Sequence, residues 1–312
     1  MKIYINGKYF SENDAGVSVF DHGLLYGDGV FEGIRIYNGK VFKLKEHIDR
    51  LYQSAKAIFL EIPIRKEDME SEVLEAVKIN EKENGYIRLI LTRGEGPLGI
   101  DPTPCKKATV IIIVADIQLY PAEYYRSGIE IVTASHRRIP SDCLDPRIKS
   151  LNYLNNVMAK LGARQAGCLE AVMLNKEGFV AECTGDNIFI VKNNELFTPA
   201  SYHGSLDGIT MRTVIEIAES LGIRTYETSL TCYDLYNADE CFMTGTGAEI
   251  ISVIKIDGRI VGDGKPGTIT GKLINGFKES IEVTNKTTSK ATPVIPATAS
   301  LCEAGQACRE SF

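Results

Sequence analysis

The chain has 312 residues, 44% of them hydrophobic and 24% charged, with a formal net charge of −6. That is enough chain for one large domain or two of roughly 150 residues, and the mild acidity argues against a nucleic-acid partner, which needs a basic face. No run approaches the roughly 18 apolar residues of a membrane span, and eight scattered cysteines with four isolated histidines suit reduced thiols in a cytoplasmic protein without a metal site.

In chain order, Met1-Lys-Ile-Tyr-Ile-Asn-Gly7 goes straight into a strand and turn, so no signal peptide is expected. Residues 2–10 and 34–44 each have the pattern of a hairpin around an Asn-Gly turn, Asn6-Gly7 and Asn38-Gly39. Leu44 to Ile58 spells an amphipathic helix with Ile48, Leu51, Tyr52 and Ala55 on one face. A second helix covers about Glu67 to Lys82, and strands follow at Tyr86–Thr92 and Ala108–Ala115. Residues 116–128 lack a period and carry a proline, which marks them as a connection between an N-terminal domain, 1–115, and a C-terminal one, 129–284.

In the second half, strands are expected at 129–134, 170–175, 187–192 and 240–244, and helices at 151–166 and 211–221. Apolar steps at Leu151, Leu154, Met158 and Leu161 mark the first helix, and Gly222 stops the second. Strands and hairpins mix with helices without strict alternation, which gives α+β halves rather than a doubly wound sheet. From Asn285 the composition shifts to Lys, Thr, Ser, Pro and Ala. Residues 285–312 are therefore expected to form a disordered tail, having little apolar surface to repay ordering.

Four stretches can carry chemistry. Lys149 lies between an Asp145-Pro146 turn and a helix, with Tyr153 four residues on. Most lysines are solvated, but one packed in a dry pocket loses its proton more easily and can form a Schiff base. Glu182, in Val180-Ala-Glu-Cys-Thr-Gly-Asp-Asn187, lies between two strands and is either a solvated turn residue or a carboxylate that keeps a pyridine nitrogen protonated; Gly185 and Asn187 would hold that loop close. Gly208-Ile209-Thr210 precedes a helix, where free N–H groups make an anion site, although Thr210 could equally be an N-cap. Thr244-Gly-Thr246-Gly-Ala248 follows a strand and adds small residues, N–H groups and a hydroxyl, and Arg50 could add a bidentate contact. Two such turns plus an arginine suit a phosphate monoester. Gly27, Gly29 and Gly33 do not make a dinucleotide site, because the spacing is wrong and a hairpin strand follows.

As a set these pieces resemble one family, the pyridoxal-phosphate enzymes of the branched-chain aminotransferase and D-amino-acid aminotransferase fold. The resemblance covers about residues 1–284 and rests on Tyr26-Gly-Asp-Gly-Val-Phe-Glu-Gly-Ile-Arg35, Lys149-Ser-Leu-Asn-Tyr153, Glu182-x-x-Gly-Asp-Asn-Ile-Phe189, Gly208-Ile-Thr210 and Thr244-Gly-Thr-Gly-Ala-Glu249. Val-Phe-Glu-Gly-Ile-Arg and the Leu98-Gly-Ile-Asp-Pro102 loop are similar to the branched-chain enzymes. The D-amino-acid enzymes carry a Tyr-Glu-Val type pattern and a basic carboxylate trap, for which no counterpart stands after Arg93, and the Phe-Glu-Thr pattern of aminodeoxychorismate lyases is absent. A binding protein that kept the fold without catalysis is disfavoured by Lys149, Glu182 and Tyr153 occurring together.

The resemblance implies a two-domain fold type IV architecture and pyridoxal 5'-phosphate held as a Schiff base on the catalytic Lys149. It implies transamination of L-leucine, L-isoleucine and L-valine with 2-oxoglutarate, the last step of branched-chain amino-acid biosynthesis. Cofactor contacts would come from Arg50, Tyr153, Glu182, Asn187, Ile209, Thr210 and Thr246. Tyr26, Phe31, Gly33, Tyr86, Arg88, Gly247 and Ala248 would form the substrate site, with Tyr26 and the loop near Leu98 and Ile100 supplied by a neighbouring subunit of a homodimer or dimer-based hexamer. One departure stands out: the family places arginine directly after Gly-Ile-Thr, whereas here Met211 follows and Arg212 comes one place later, a helical rotation of about 100°. That puts a side-chain contact from this turn in doubt, but not the backbone anion site.

Overall fold

The computed structural model describes residues 1–117 and 120–287. Its N-terminal sheet has six strands, β1 (Lys2–Ile5), β2 (Lys8–Ser11), β3 (Gly29–Tyr37), β4 (Lys40–Val41), β5 (Gly85–Thr92) and β6 (Thr109–Ala115), in the order β2-β1-β6-β5-β3-β4. All neighbours are antiparallel. Both Asn-Gly turns have left-handed backbone at each central residue, φ 49° and 85° at Asn6-Gly7 and 51° and 74° at Asn38-Gly39. Those dihedrals match the twist of the flanking strands, which is why the turn chemistry was readable. The helix α1 (His22–Tyr26) precedes β3, while α2 (Leu44–Ala57) and α3 (Lys66–Ile79) cover the sheet. The apolar face of α2, Ile48, Leu51 and Ala55, joins Ile34, Ile36, Ile87 and Leu89 of the strands in one core.

The second sheet has nine strands: β7 (Ile129–Thr133), β8 (Glu170–Leu174), β9 (Val180–Cys183), β10 (Asn187–Lys192), β11 (Glu195–Pro199), β12 (Thr225–Thr228), β13 (Glu240–Gly245), β14 (Glu249–Ile256) and β15 (Arg259–Ile260). Their order is β12-β11-β10-β13-β14-β7-β8-β9, with β15 on β14. The pairs β11–β12, β14–β7 and β7–β8 are parallel. Helix α4 (Tyr124–Ser127) comes before β7. Helices α6 (Ile209–Ser220) and α8 (Thr268–Thr287) pack around the stacked rings of Phe189 and Phe242, and α5 (Leu154–Gln165) lays Ala159 and Ala163 on β8. A capping box of Thr231 and Asp234 starts α7 (Cys232–Tyr236).

Four strands are expected from sequence in this half, and nine form. β9, β12 and β15 are too short to show a period, and they exist because neighbours supply their ladders. Glu182 accordingly stands on β9 rather than between strands. The apolar steps that announce α5 are not its buried face: Leu154 is 72% exposed and Leu161 51%, while Asn156, Ala159 and Ala163 are buried. α8 runs on past residue 284 to Thr287, and the rest of the expected tail, 288–312, lies outside the described residues.

Candidate active site

Lys149 is placed by backbone, not by a helix. Its carbonyl accepts from Phe31 N at 2.9 Å, Leu151 N donates to Gly29 O at 2.9 Å, and Ser150 bridges Val30, so residues 149–151 lie as a short strap along β3. Ser54 of α2 accepts from Lys149 N at 3.2 Å. The side chain then enters a cavity of about 660 Å³ between the two sheets. Its Nζ donates to the Tyr153 hydroxyl at 3.2 Å and stands 4.5 Å from the Phe31 ring centre. Phe31 meets Tyr153 edge to face at 5.0 Å. A primary amine, the group that forms a Schiff base with a carbonyl, is thus held against aromatic rings inside the cavity.

One end of the cavity is an acid–base pair. Glu182 accepts from Arg138 Nη2 at 2.7 Å and from Leu206 N at 3.0 Å. Burial pushes its carboxyl above the ordinary value, against the pull of Arg138. Arg138 is itself fixed by Asn156 Oδ1 at 2.7 Å and Gly204 O at 3.0 Å. Sequence inspection missed Arg138, because it lies 44 positions from Glu182 in an irregular segment with no motif around it.

The opposite end collects donors. Gly208 caps α6 without a side-chain bond, so Thr210 is not the N-cap, and the first N–H groups of Ile209 and Thr210 have no helical acceptor. The Cβ of any larger residue at 208 would fall 2.0 Å from Asn187 Oδ1. Asn187 also donates Nδ2 to Leu206 O at 2.9 Å, so it lines the cavity and at the same time clamps the loop before α6. Arg50 donates Nε and Nη2 to the two carboxylate oxygens of Glu32 at 2.7 and 2.8 Å, and Nη1 to Asp207 O at 2.8 Å. Buried His47 donates from Nδ1 to the ionised Glu32 Oε2 at 2.7 Å. Burial alone would raise the Glu32 carboxyl, but Arg50 and His47 together hold it below the usual range. Arg50 is thus aimed by two anchors with N–H groups to spare. Thr246 and Gly247 of the β13–β14 turn complete this end.

Arg212 points elsewhere. It pairs with Asp207 and, through both terminal nitrogens, with Glu227, while Met211 is buried among Val214 and Phe242 in the second-sheet core. Both side chains after Thr210 are thus engaged with the protein itself.

The third wall is apolar with one charge in it. The Arg88 guanidinium lies 4.6 Å from the Phe31 ring centre and 5.5 Å from that of Tyr86, and no ion pair holds it among the described residues. Gly33 makes room for the Tyr86 hydroxyl, which would lie 1.8 Å from a Cβ at this position. By contrast Arg93 is fully engaged, bidentate to Asp28 and donating to Ile58 O and Phe59 O. Two expected residues lie off the cavity wall. The Ala248 side chain is buried in the second-sheet core, so only its backbone N–H is left for the adjoining turn. Tyr26 is exposed on α1, where its hydroxyl accepts from Gly99 N at 2.8 Å and anchors the loop that carries Leu98 and Ile100 outward.

Among the described residues no cluster of histidine, cysteine or acid could hold a metal, and no helix is long and apolar enough to cross a membrane.

Residues 29–256 match the amino-transferase class IV family. A protein of Methanocaldococcus jannaschii, provisionally named a branched-chain-amino-acid aminotransferase, is 54% identical over 89% of this chain and 96% of its own length. The D-alanine aminotransferase of Bacillus licheniformis is 36% identical over 90% of this chain and 97% of its own. The solved T.th. branched-chain amino acid aminotransferase, complexed with N-(5'-phosphopyridoxyl)-L-glutamate, superposes with a TM-score of 0.85 at 36% identity, over 91% of this chain and 94% of that one.

Proposed function

The chain belongs to the class IV aminotransferases, which are pyridoxal-phosphate enzymes with the fold type IV architecture, and from that premise we propose that it exchanges the amino group of L-leucine, L-isoleucine or L-valine with 2-oxoglutarate. The donor set suits the cofactor: an amine in the cavity, free helix-terminal N–H groups beside Arg50, a glycine cradle at 208 and a buried carboxylate at the far end. When bound, the pyridoxal ring serves as the electron sink for bond breaking at the substrate Cα.

The chain's own residues do the rest. Arg50, the Ile209 and Thr210 amides and Thr246 bind the phosphate. Glu182, kept in place by Arg138, holds a proton at the ring nitrogen. Tyr153 orients the Lys149 amine, and Lys149 Nζ moves the proton at Cα. Phe31 and Tyr86 exclude water from an apolar side chain. The Gly247 and Ala248 amides take the carboxylate common to all substrates.

The observation that carries the substrate assignment is Arg88. A guanidinium set between two rings, with no ion-pair partner among the described residues, leaves a place for the distal carboxylate of glutamate within a wall that otherwise fits branched hydrocarbon. Arg93 is engaged by Asp28 and is not free to act as a second carboxylate trap. We place a second copy of the chain over Phe20, Leu24, Tyr26, Leu98 and Ile100 and over the exposed side of α5, since these large apolar side chains are exposed and exposed apolar patches mark interfaces. That copy would bring Tyr26 and the Leu98 loop to its neighbour's site, as a homodimer or a dimer-based hexamer. The unpaired cysteines among the described residues suit the cytoplasm. The test is a panel of L- and D-amino donors with 2-oxoglutarate as acceptor. L-leucine, L-isoleucine and L-valine should lead, and a preference for D-alanine would overturn the assignment in favour of the other named relatives.

A further inference from the structure

The turn between β13 and β14 is held from the other sheet. Glu249, its last residue, has φ 59°, a left-handed conformation that a glutamate seldom adopts. Its Oε1 accepts from Arg35 Nη2 at 2.9 Å and from the Tyr37 hydroxyl at 2.8 Å. Both donors stand on β3, and the Arg35 guanidinium lies 5.1 Å from the Tyr37 ring centre. Burial and the Glu249 charge raise the Tyr37 phenol far above its ordinary value, so it stays a donor. At the other end of the turn, Gly245 packs against Asp186, whose Oδ1 would be 1.9 Å from any Cβ there. Between these two fixings lie Thr246, Gly247 and Ala248, whose N–H groups have no backbone acceptor among the described residues.

We propose that Arg35, Tyr37 and Glu249 are positioning residues: the ion pair and hydrogen bond across the two sheets hold the Gly247 and Ala248 amides in the orientation that takes the substrate's α-carboxylate. This rests on the reading above that these amides meet a carboxylate. The chemistry is asymmetric in a useful way. A backbone donor array binds an anion well only when its N–H groups converge without reorganisation. The latch does not touch Arg50, the Ile209 and Thr210 amides or Lys149, so losing it should weaken carboxylate binding for every substrate well beyond any effect on cofactor binding, in which this turn takes part only through Thr246.

The experiment uses the holoenzyme and 4-methylpentanoate, a branched aliphatic carboxylate without an amino group, titrated by calorimetry. Glu249→Asn keeps a residue that tolerates left-handed backbone but is too short to reach β3. Tyr37→Phe removes one neutral donor and keeps the buried ring. We expect the dissociation constant for 4-methylpentanoate to rise about tenfold in Glu249→Asn and about threefold in Tyr37→Phe, the scale of one charge-assisted and one neutral hydrogen bond. Cofactor affinity should stay within about twofold, and KM for leucine and glutamate should rise in parallel with kcat changed less than about threefold. Unchanged probe affinity in both variants overturns the latch and leaves the carboxylate reading standing. An equal fall in cofactor and probe affinity also overturns it, since that is general loosening. A wild type that does not bind the probe at all removes the carboxylate reading, and the latch with it. If Glu249→Asn does not fold, Tyr37→Phe decides alone on the threefold rise.

Discussion

Replacing Arg88 by leucine should separate the two substrate classes. The guanidinium has no ion-pair partner among the described residues and lies 4.6 and 5.5 Å from the ring centres of Phe31 and Tyr86. Its remaining bonding capacity faces the cavity. Leucine keeps apolar bulk between the rings and removes the charge, so a branched hydrocarbon still finds a fitting wall. The distal carboxylate of glutamate does not, because a buried carboxylate without a partner is costly. A charge-assisted hydrogen bond is worth about 1.5–3 kcal/mol, which is roughly 10- to 150-fold in specificity. The attraction of the guanidinium to each of the two rings is worth about 0.5–1 kcal/mol at partly exposed sites, so a small drop in melting temperature should accompany the effect without explaining it. The assay is the single-turnover rate of the cofactor's visible band with glutamate and with leucine, wild type against variant. Glutamate should lose at least tenfold more than leucine. Equal losses would refute the reasoning and make Arg88 either a structural residue or the partner of a carboxylate that both substrates share.

Lys149→Ala should abolish transamination by several orders of magnitude while the far-ultraviolet spectrum stays native, and borohydride should attach the cofactor to Lys149 in the wild type; a label on another lysine would displace it. Asp186→Asn should stabilise the protein at alkaline pH. Burial and the neighbouring Glu170 charge push the Asp186 carboxyl up to about 7 from 3.8, so between those values the folded state holds a proton that the unfolded state has released. Stability therefore falls as pH rises through that window, and the penalty is complete above it. The gap of roughly three pH units, at about 1.4 kcal/mol each, sets an upper bound near 4 kcal/mol; a gain of roughly 1–4 kcal/mol at about pH 8, shrinking toward about pH 5, should appear in denaturant melts, and a gain independent of pH would count against the cause. Gly208→Ala should weaken cofactor binding by roughly tenfold or more, since overpacking costs about 1–3 kcal/mol and its Cβ would land 2.0 Å from Asn187 Oδ1; equilibrium dialysis with pyridoxal 5'-phosphate measures it.

Most of the N-terminal sheet was legible because its signals are local. Asn6-Gly7 and Asn38-Gly39 dictate their own dihedrals, and the face of α2 repeats within four turns. The second sheet was harder for a physical reason. β8, β9 and β10 are buried on both faces almost throughout, so they show no alternation, and several strands are held by partners far away in sequence. The helix α5 misleads in the opposite sense. Its apolar stripe is real, but it faces outward, and the small residues that pack on β8 carry no hydrophobic signal.

The same division runs through the site. Lys149, Glu182, Gly208-Ile209-Thr210 and Thr246 are visible because chemistry confines them to short motifs. The groups that aim them are not: Ser54 under the Lys149 strap, Arg138 behind Glu182, Glu32 and His47 behind Arg50, and Arg35 with Tyr37 behind Glu249. Each of these makes its contact through the fold, across 15 to 214 positions of sequence. Three of the pairings start from one strand, β3, which presents Glu32 to α2, Arg35 and Tyr37 to β14, and its backbone to the Lys149 strap. A single register shift of β3 would turn Phe31, Gly33 and Arg35 away from the faces they now occupy. It would release the Lys149 strap, Arg50 and the carboxylate turn together. The Val-Phe-Glu-Gly-Ile-Arg stretch therefore both lines the cavity, through Phe31 and Gly33, and aligns the rest of the site, through Glu32, Arg35 and its backbone.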